Sequence, residues 1–207
     1  MQTLVKKSER IAVFCGARPG NRPDHMQAGR SFGLALARRG LDLVYGAGGV
    51  GVMGAVADGV LEAGGSVTGV IPRSLHERER ADRARGAIFV VRSMHERKTV
   101  MYRLSSGFAV LPGGFGTLDE LMEVATWNQL SLMDKPIVVV NLGGFFDPML
   151  AMLDHLVAEG FLSAKDRRLI QAADTVQEAL DRLAPAEPGH ADPAHANRAV
   201  SLIRSSA

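Results

Sequence analysis

Short apolar runs without polar alternation recur along the chain, and segments with helical spacing of their apolar residues separate them. Six of these runs predict β-strands, at residues 11–15, 41–45, 67–71, 87–91, 108–111 and 137–141. Strands that are apolar on both faces and alternate with helices are typical of a parallel sheet with helices on both sides. The pattern therefore predicts an α/β, Rossmann-like three-layer fold with a mostly parallel sheet.

The intervening segments predict helices, at residues 24–39, 52–63, 94–105 and 118–128. After the sixth strand the pattern indicates a helix over 148–159, a short helix near Ala164 and a closing helix over 175–183. A further apolar run at 169–173 makes the sheet six or seven strands wide. We expect one nucleotide-binding domain over 1–184, followed by a disordered tail over 185–207, where Pro, Ala, Gly and His occur without periodicity.

Composition narrows the function classes. The chain of 207 residues is 46% hydrophobic, which is enough for one well-packed core, and its formal net charge of +2 does not favour a nucleic-acid partner. Cys15 is the only cysteine, which fits a reducing cytoplasm, and no apolar run approaches the roughly 18 residues of a membrane helix. The histidines are not spaced as metal ligands. We expect a cytoplasmic protein without membrane partner, metal or cofactor.

The most informative segment follows the fifth predicted strand. Gly113, Gly114 and Gly116 allow a sharp turn and close approach of a ligand, and the helix that follows offers unpaired N–H groups to an anion. This arrangement predicts a phosphate cradle with Glu120 one turn beyond it. An alternative stays open, because Thr117 and Glu120 also have the spacing of a capping box that only satisfies the helix end.

Three other suggestive loops follow predicted strands, at residues 16–20, 46–51 and 93–98. Ligands of open α/β sheets bind beyond the carboxyl ends of the strands, so all four loops are expected at one edge. The first strand is not followed by G-x-G-x-x-G, and the loop after the second lacks an acidic residue for a ribose diol. The sequence therefore favours a mononucleotide over a dinucleotide.

The motifs Tyr-Gly-Ala-Gly-Gly-Val-Gly-Val-Met-Gly at 45–54, Met-His-Glu-Arg-Lys at 94–98 and Pro-Gly-Gly-Phe-Gly-Thr-Leu-Asp-Glu at 112–120 resemble those of the LOG (Lonely Guy) family. The resemblance covers about residues 10 to 183. Members of that family are cytokinin riboside 5′-monophosphate phosphoribohydrolases, long mislabelled as lysine decarboxylases. The resemblance implies a Rossmann-like homodimer that hydrolyses a nucleoside 5′-monophosphate, of the AMP or cytokinin type, to free base and ribose 5-phosphate.

The resemblance also implies roles for individual residues. It makes Arg97 and Glu120 the catalytic pair. Substrate contacts are implied for Glu79, Lys98, Gly113, Gly114, Phe115, Gly116, Thr117 and Thr126. The glycine loops add secondary phosphate or ribose contacts at Gly16, Gly48, Gly49 and Gly51.

The chain departs from the family pattern at three places. Ala17-Arg18 stands where the family usually has Ser-Ser, Ala47 replaces a glycine, and Leu-Ser-Leu-Met at 130–133 replaces Leu-Gly-Ile-His. None of these departures alters the implied catalytic pair. They are positions at which base preference or rate can differ from the family.

Two other functions remain open from the sequence. A nucleotide-binding sensor would keep the cradle without turnover. A pyridoxal-phosphate decarboxylase would need Lys98 or Lys135 as the Schiff-base lysine, but Lys98 lies in the nucleotide motif and Lys135 precedes Pro136. We further expect a homodimer, because two helices carry apolar residues on more than one face: Met101, Leu104, Leu121, Met122, Val124 and Trp127.

Overall fold

The computed structural model of the chain describes residues 9–77 and 84–183. Glu79 and the predicted tail over 185–207 lie outside these residues. Within the described residues, no helix combines the length and the apolar character that a membrane crossing requires.

Seven strands form one sheet in which every pairing is parallel, in the order β4-β3-β2-β1-β5-β6-β7. The strands are β1 (Arg10–Phe14), β2 (Asp42–Tyr45), β3 (Val67–Pro72), β4 (Ala87–Val91), β5 (Gly107–Val110), β6 (Ile137–Val140) and β7 (Ile170–Ala173). The predicted α/β class and the seventh strand are confirmed. Strand order reverses between β1 and β5, which opens a crevice at their carboxyl ends.

Eight α-helical segments connect the strands within the described residues. They are α1 (Asp24–Arg38), α2 (Gly51–Glu62), α3 (Arg73–His76), α4 (Met94–Leu104), α5 (Phe115–Gln129), α6 (Asp147–Ala158), α7 (Ala164–Arg167) and α8 (Val176–Leu183). The short helix α3 was not predicted, and among the predicted helices α5 differs most, because it begins three residues before the predicted start at residue 118. Gly114 is the N-cap, and the residues from Phe115 onwards already adopt helical geometry.

The sheet divides the hydrophobic core into two clusters, one on each face. The first cluster contains residues of α1, α2 and α8, such as Phe32, Val56 and Leu180. The second contains residues of α4, α5 and α6, among them Met101 and Leu121. Both faces of the central strands are therefore buried, which explains why those strands are apolar without alternation.

Candidate active site

A cleft of about 990 Å³ opens at the carboxyl ends of the central strands. The loops after β1, β2 and β5 form its walls, and the first turns of α4 and α5 complete them. The four loops expected at one edge thus border one cleft, including the loop after the edge strand β4. The predicted site residues that line it are Gly16, Gly48, Arg97, Gly113, Gly114, Phe115, Gly116, Thr117 and Glu120.

The amino terminus of α5 points its backbone into this cleft. Gly114 is the N-cap, and the first helical hydrogen bond of the turn runs from the Leu118 N–H to the Gly114 carbonyl at 3.1 Å. The N–H groups of the first helical turn have no partner inside a helix, and no side chain caps this end. The turn therefore offers backbone donors and the positive end of the helix dipole to an anion.

This geometry shows that the capping-box alternative is wrong. A capping box would need Thr117 at the N-cap, but Thr117 is the third residue of the helix and Glu120 lies a further turn inside it. Thr117 is buried and its hydroxyl lies against Gly113, where a Cβ would overlap it. Glu120 is therefore not committed to satisfying the helix terminus.

Arg97 of α4 and Glu120 of α5 face each other at the floor of the cleft. The Nη2 atom of Arg97 lies 3.9 Å from Oε1 of Glu120, and the two side chains are only 11% and 10% exposed. At this separation the pair is a loose ion pair and not a tight bidentate one. The guanidinium also lies 3.4 Å from the Gly46 carbonyl, and its buried Nε has no hydrogen-bond partner among the described residues.

Burial dominates the electrostatics of Glu120. Desolvation raises the pKa of its carboxyl from 4.5 to about 7, although the charges of Arg97 and Lys98 oppose the shift. A carboxyl with a pKa near neutrality beside an anion cradle is typical of catalytic sites. The Cys15 thiol at the end of β1 is inert by comparison, because burial raises its pKa far above neutrality.

Four predicted site residues do not line the cleft. Gly51, the first residue of α2, has a φ of +65° and packs closely against the Ala17 backbone, and the Gly49 backbone lies next to Gly54. The Thr126 hydroxyl donates to the Met122 carbonyl of its own helix at 2.8 Å. Lys98 is buried in ion pairs with Asp119 at 3.2 Å and Glu123 at 2.9 Å.

The sequence prediction missed part of the cleft wall. Arg18, Arg22, His25 and Phe145 line its other end, and the rings of His25 and Phe145 pack edge to face with centroids 5.4 Å apart. Arg18 lies in one of the loops expected at this edge. Phe145 follows β6, and no motif of the sequence singled it out.

The two lysines required by the decarboxylase alternative are both engaged. Lys98 holds its two carboxylates. The Lys135 Nζ donates to the carbonyls of Tyr102 and Ser105, each at 2.6 Å, and burial lowers the pKa of that ammonium group. Neither lysine lines the cleft. The geometry therefore does not favour a Schiff base on either residue.

Comparison with known proteins adds the remaining evidence. A family described as "Possible lysine decarboxylase" matches residues 53–183. A probable cytokinin riboside 5′-monophosphate phosphoribohydrolase of Oryza sativa subsp. japonica is 45% identical over 174 residues, which is 84% of this chain and 78% of that protein. A cytokinin riboside 5′-monophosphate phosphoribohydrolase of Arabidopsis thaliana is 42% identical over 190 residues, or 91% of this chain and 88% of that protein.

Solved structures support the fold. The molybdenum cofactor carrier protein of Chlamydomonas reinhardtii aligns with a TM-score of 0.65 at 20% identity, covering 84% of this chain and 95% of that one. A molybdenum cofactor binding protein of Rippkaea orientalis aligns with a TM-score of 0.62 at 18% identity, covering 85% and 95%. At these identities the likeness concerns the fold alone.

Proposed function

The chain belongs to the family of the cytokinin riboside 5′-monophosphate phosphoribohydrolases, the LOG family, and we propose that it hydrolyses a nucleoside 5′-monophosphate. The substrate class is adenine nucleotides, including the cytokinin riboside 5′-monophosphates that the relatives' names specify. Water adds to the anomeric carbon, the N-glycosidic bond breaks, and free base and ribose 5-phosphate leave.

The amino terminus of α5 is the phosphate site in this proposal. The uncapped N–H groups of residues 115–117 are suited to the phosphate oxygens, and the helix dipole adds to their attraction. Gly114 and Gly116 leave open space where a Cβ would otherwise stand. Binding the phosphate away from the reacting bond orients the ribose over the floor of the cleft.

Glu120 and Arg97 carry the chemistry. Breaking the glycosidic bond builds positive charge on the ribose, and an ionised Glu120 beside the anomeric carbon stabilises that charge and orients water. Arg97 favours the ionised form of Glu120 across 3.9 Å, which partly offsets the effect of burial. Because the pKa of Glu120 is about 7, activity is expected to rise with pH through neutrality.

The observation that carries the proposal is a buried Arg97–Glu120 pair next to an uncapped helix terminus in one cleft. The direct test incubates the purified protein with AMP and measures adenine and ribose 5-phosphate by chromatography. We expect stoichiometric release of both products. Intact AMP after long incubation with concentrated enzyme would overturn the proposal, and thermal stabilisation by AMP without release would indicate a sensor.

We also propose that the protein is a cytoplasmic homodimer, on evidence partly different from that of the sequence. Met101, Leu121 and Val124 are fully buried within the subunit, so they are not available to a partner. Other large apolar side chains are exposed near the same helices: Phe89, Val90, Met94, Leu130 and Leu132. Light scattering is expected to give twice the monomer mass, and a monomer mass at every concentration would contradict this.

A further inference from the structure

Lys98 lies at the centre of a charged cluster between α4 and α5. Its Nζ is 2.9 Å from the Glu123 carboxylate and 3.2 Å from that of Asp119. The Tyr102 hydroxyl donates to the same Glu123 carboxylate at 2.6 Å. The ring of Tyr102 in turn packs edge to face on Trp127, with centroids 5.3 Å apart. These contacts join two turns of α4 to three turns of α5.

The cluster is largely shielded from water on the Lys98 side. The Lys98 side chain is 11% exposed, whereas those of Glu123 and Asp119 are 27% and 60% exposed. Burial alone would lower the pKa of Lys98, but its hydrogen bonds to Glu123 and Asp119 raise that pKa above its ordinary value. Lys98 therefore stays charged and holds both carboxylates.

Asp119 and Glu123 flank Glu120 on α5, one residue before it and nearly one turn after it. We propose that Lys98 is a positioning residue, which neutralises these two flanking carboxylates and thereby keeps Glu120 ionisable for the reaction proposed above. Lys98 then acts on catalysis through Asp119 and Glu123, without touching the substrate. The effect of Lys98 on catalysis rests on the proposed function, whereas its effect on the charge of Glu120 does not.

The charge balance around Glu120 supports this role. The groups that act on it are the cations Arg97 and Lys98 of α4, the Tyr102 hydroxyl of α4, the Cys15 thiol at the end of β1, and the carboxylates of Asp119 and Glu123. Without Lys98, three carboxylates on neighbouring positions of one helix would face the single cation Arg97. Like charges at this spacing favour protonation, so Glu120 would lose its negative charge at neutral pH.

The position of Lys98 argues against direct contact with a nucleotide. Its ammonium group has three donors, and the two carboxylates occupy at least two of them. Lys98 does not line the cleft, whereas its neighbour Arg97 does. A substrate contact would require Lys98 to leave both ion pairs.

The test measures the titration of Glu120 in the ligand-free protein by carboxyl ¹³C NMR, with the resonance assigned by its loss in Glu120→Gln. In Lys98→Met the midpoint is expected to move up by about one pH unit, and the acid limb of kcat/KM moves with it. Glu123→Gln is expected to move the midpoint down. The triple variant Lys98→Met, Asp119→Asn, Glu123→Gln restores it to within a few tenths of a unit.

Arg103→Met is the matched control, because Arg103 lies exposed on α4 and has no carboxylate partner among the described residues. It is expected to leave the Glu120 midpoint and the activity unchanged. An unchanged midpoint in Lys98→Met, with AMP affinity reduced, would overturn the inference in favour of substrate contact. The NMR result holds whether or not the protein hydrolyses AMP, so failure of the two proposals can be told apart.

Discussion

The two glycine loops of the cleft owe their glycines to different causes. In the 46–51 loop after β2, the protein itself requires them: a Cβ on Gly46 would overlap the Arg97 guanidinium, and one on Gly48 would lie 2.8 Å from the Met53 sulfur. In the 112–117 turn after β5, a Cβ on Gly114 or Gly116 would meet nothing within 4 Å. Packing therefore explains Gly46 and Gly48 of the first loop. In the second it explains Gly113, whose Cβ would overlap the Thr117 hydroxyl, but not Gly114 or Gly116.

The difference separates two ways in which a loop serves a site. The 46–51 loop makes room for the protein's own atoms, and Gly46 leaves space for the guanidinium of Arg97, the arginine that we propose to be catalytic. In the 112–117 turn, the space beside Gly114 and Gly116 holds no protein atom within 4 Å. This open space fits a ligand that approaches the backbone closely. Two loops of similar glycine-rich composition therefore differ: packing requires Gly46 and Gly48 of the first, whereas Gly114 and Gly116 of the second fit the binding role that we propose.

Substitution of Glu120, which follows the 112–117 turn, is the strongest test of the binding side of the comparison. Glu120→Gln is expected to lower turnover of AMP on the order of a hundredfold or more, because it removes a preorganised negative charge. The variant should still adopt the same fold, and its AMP affinity should be nearly unchanged. Arg97→Ala should cost comparable activity, and the double variant little more. Steady-state kinetics check this, and near-parental turnover in Glu120→Gln would return Glu120 to a structural role.

The same variant, Glu120→Gln, is also expected to change how the stability of the protein depends on pH. The folded state holds the Glu120 proton to about pH 7, whereas the ordinary pKa is 4.5. The parent therefore loses stability as the pH rises from about 4.5 to about 7, and Glu120→Gln does not. At pH 8 the variant should be more stable by on the order of 3 kcal/mol, with little difference at pH 4.5. Urea unfolding at both pH values measures this, and a pH-independent difference would contradict it.

Gly46→Ala tests the structural role of the 46–51 loop. The added methyl group must displace the Arg97 guanidinium, so turnover is expected to fall roughly tenfold to a hundredfold. In an Arg97→Ala background the same change should have almost no further effect, since the side chain it displaces is gone. Kinetics of the four proteins form a double-mutant cycle. Additive losses would show that Gly46 acts on the site by another route.

Gly116→Ala should separate affinity from stability. The methyl group meets no protein atom within 4 Å and alanine favours a helix, so the free energy of unfolding is expected to rise by about 0.5 kcal/mol. Its methyl group enters the proposed phosphate site, so AMP affinity should fall about tenfold. Calorimetric titration and urea unfolding measure the two effects. Unchanged affinity would remove the distinction between the two loops.

The smallest expected effect is on stability, at two residues other than glycine that have a left-handed backbone conformation. Ala47 of the 46–51 loop and Ser131 after α5 have φ values of 60° and 57°, at positions where the sequence departs from a family glycine. Ser131→Gly should stabilise by about 0.5 kcal/mol by relieving this conformation. Ala47→Gly should be near neutral, because it also removes a buried methyl group. Thermal melts and urea unfolding of the two variants measure these differences in stability.

The fold was predictable because its signals are local and repeated. Each buried strand is apolar on both faces, and each helix between strands has its own periodicity, so even the seventh strand was indicated. The start of α5 was not, because three glycines in four positions suggest a longer turn, whereas the helix already begins at Phe115 and includes Gly116. The residue at which α5 begins determines whether Thr117 and Glu120 form a capping box or the helix end stays uncapped and open to an anion.

The site was predictable to the extent that it lies in contiguous motifs. Arg97, Glu120 and the 112–117 turn are adjacent in sequence to the features that identify them. The partners of Lys98 were not predictable, because they depend on how α4 packs against α5. Phe145, in the segment after β6, and His25, in the first turn of α1, belong to no motif, and only the topology of the sheet brings them to the cleft.

Trp127 gives this molecule an intrinsic optical probe. It is the only tryptophan of the chain, and its ring lies against Tyr102, whose hydroxyl is bound to Glu123. A change in the partners of Glu123 alters the surroundings of this fluorophore through one ring contact. Emission excited at the red edge of the indole band can therefore follow the packing of α4 on α5 in real time, without a label in the cleft.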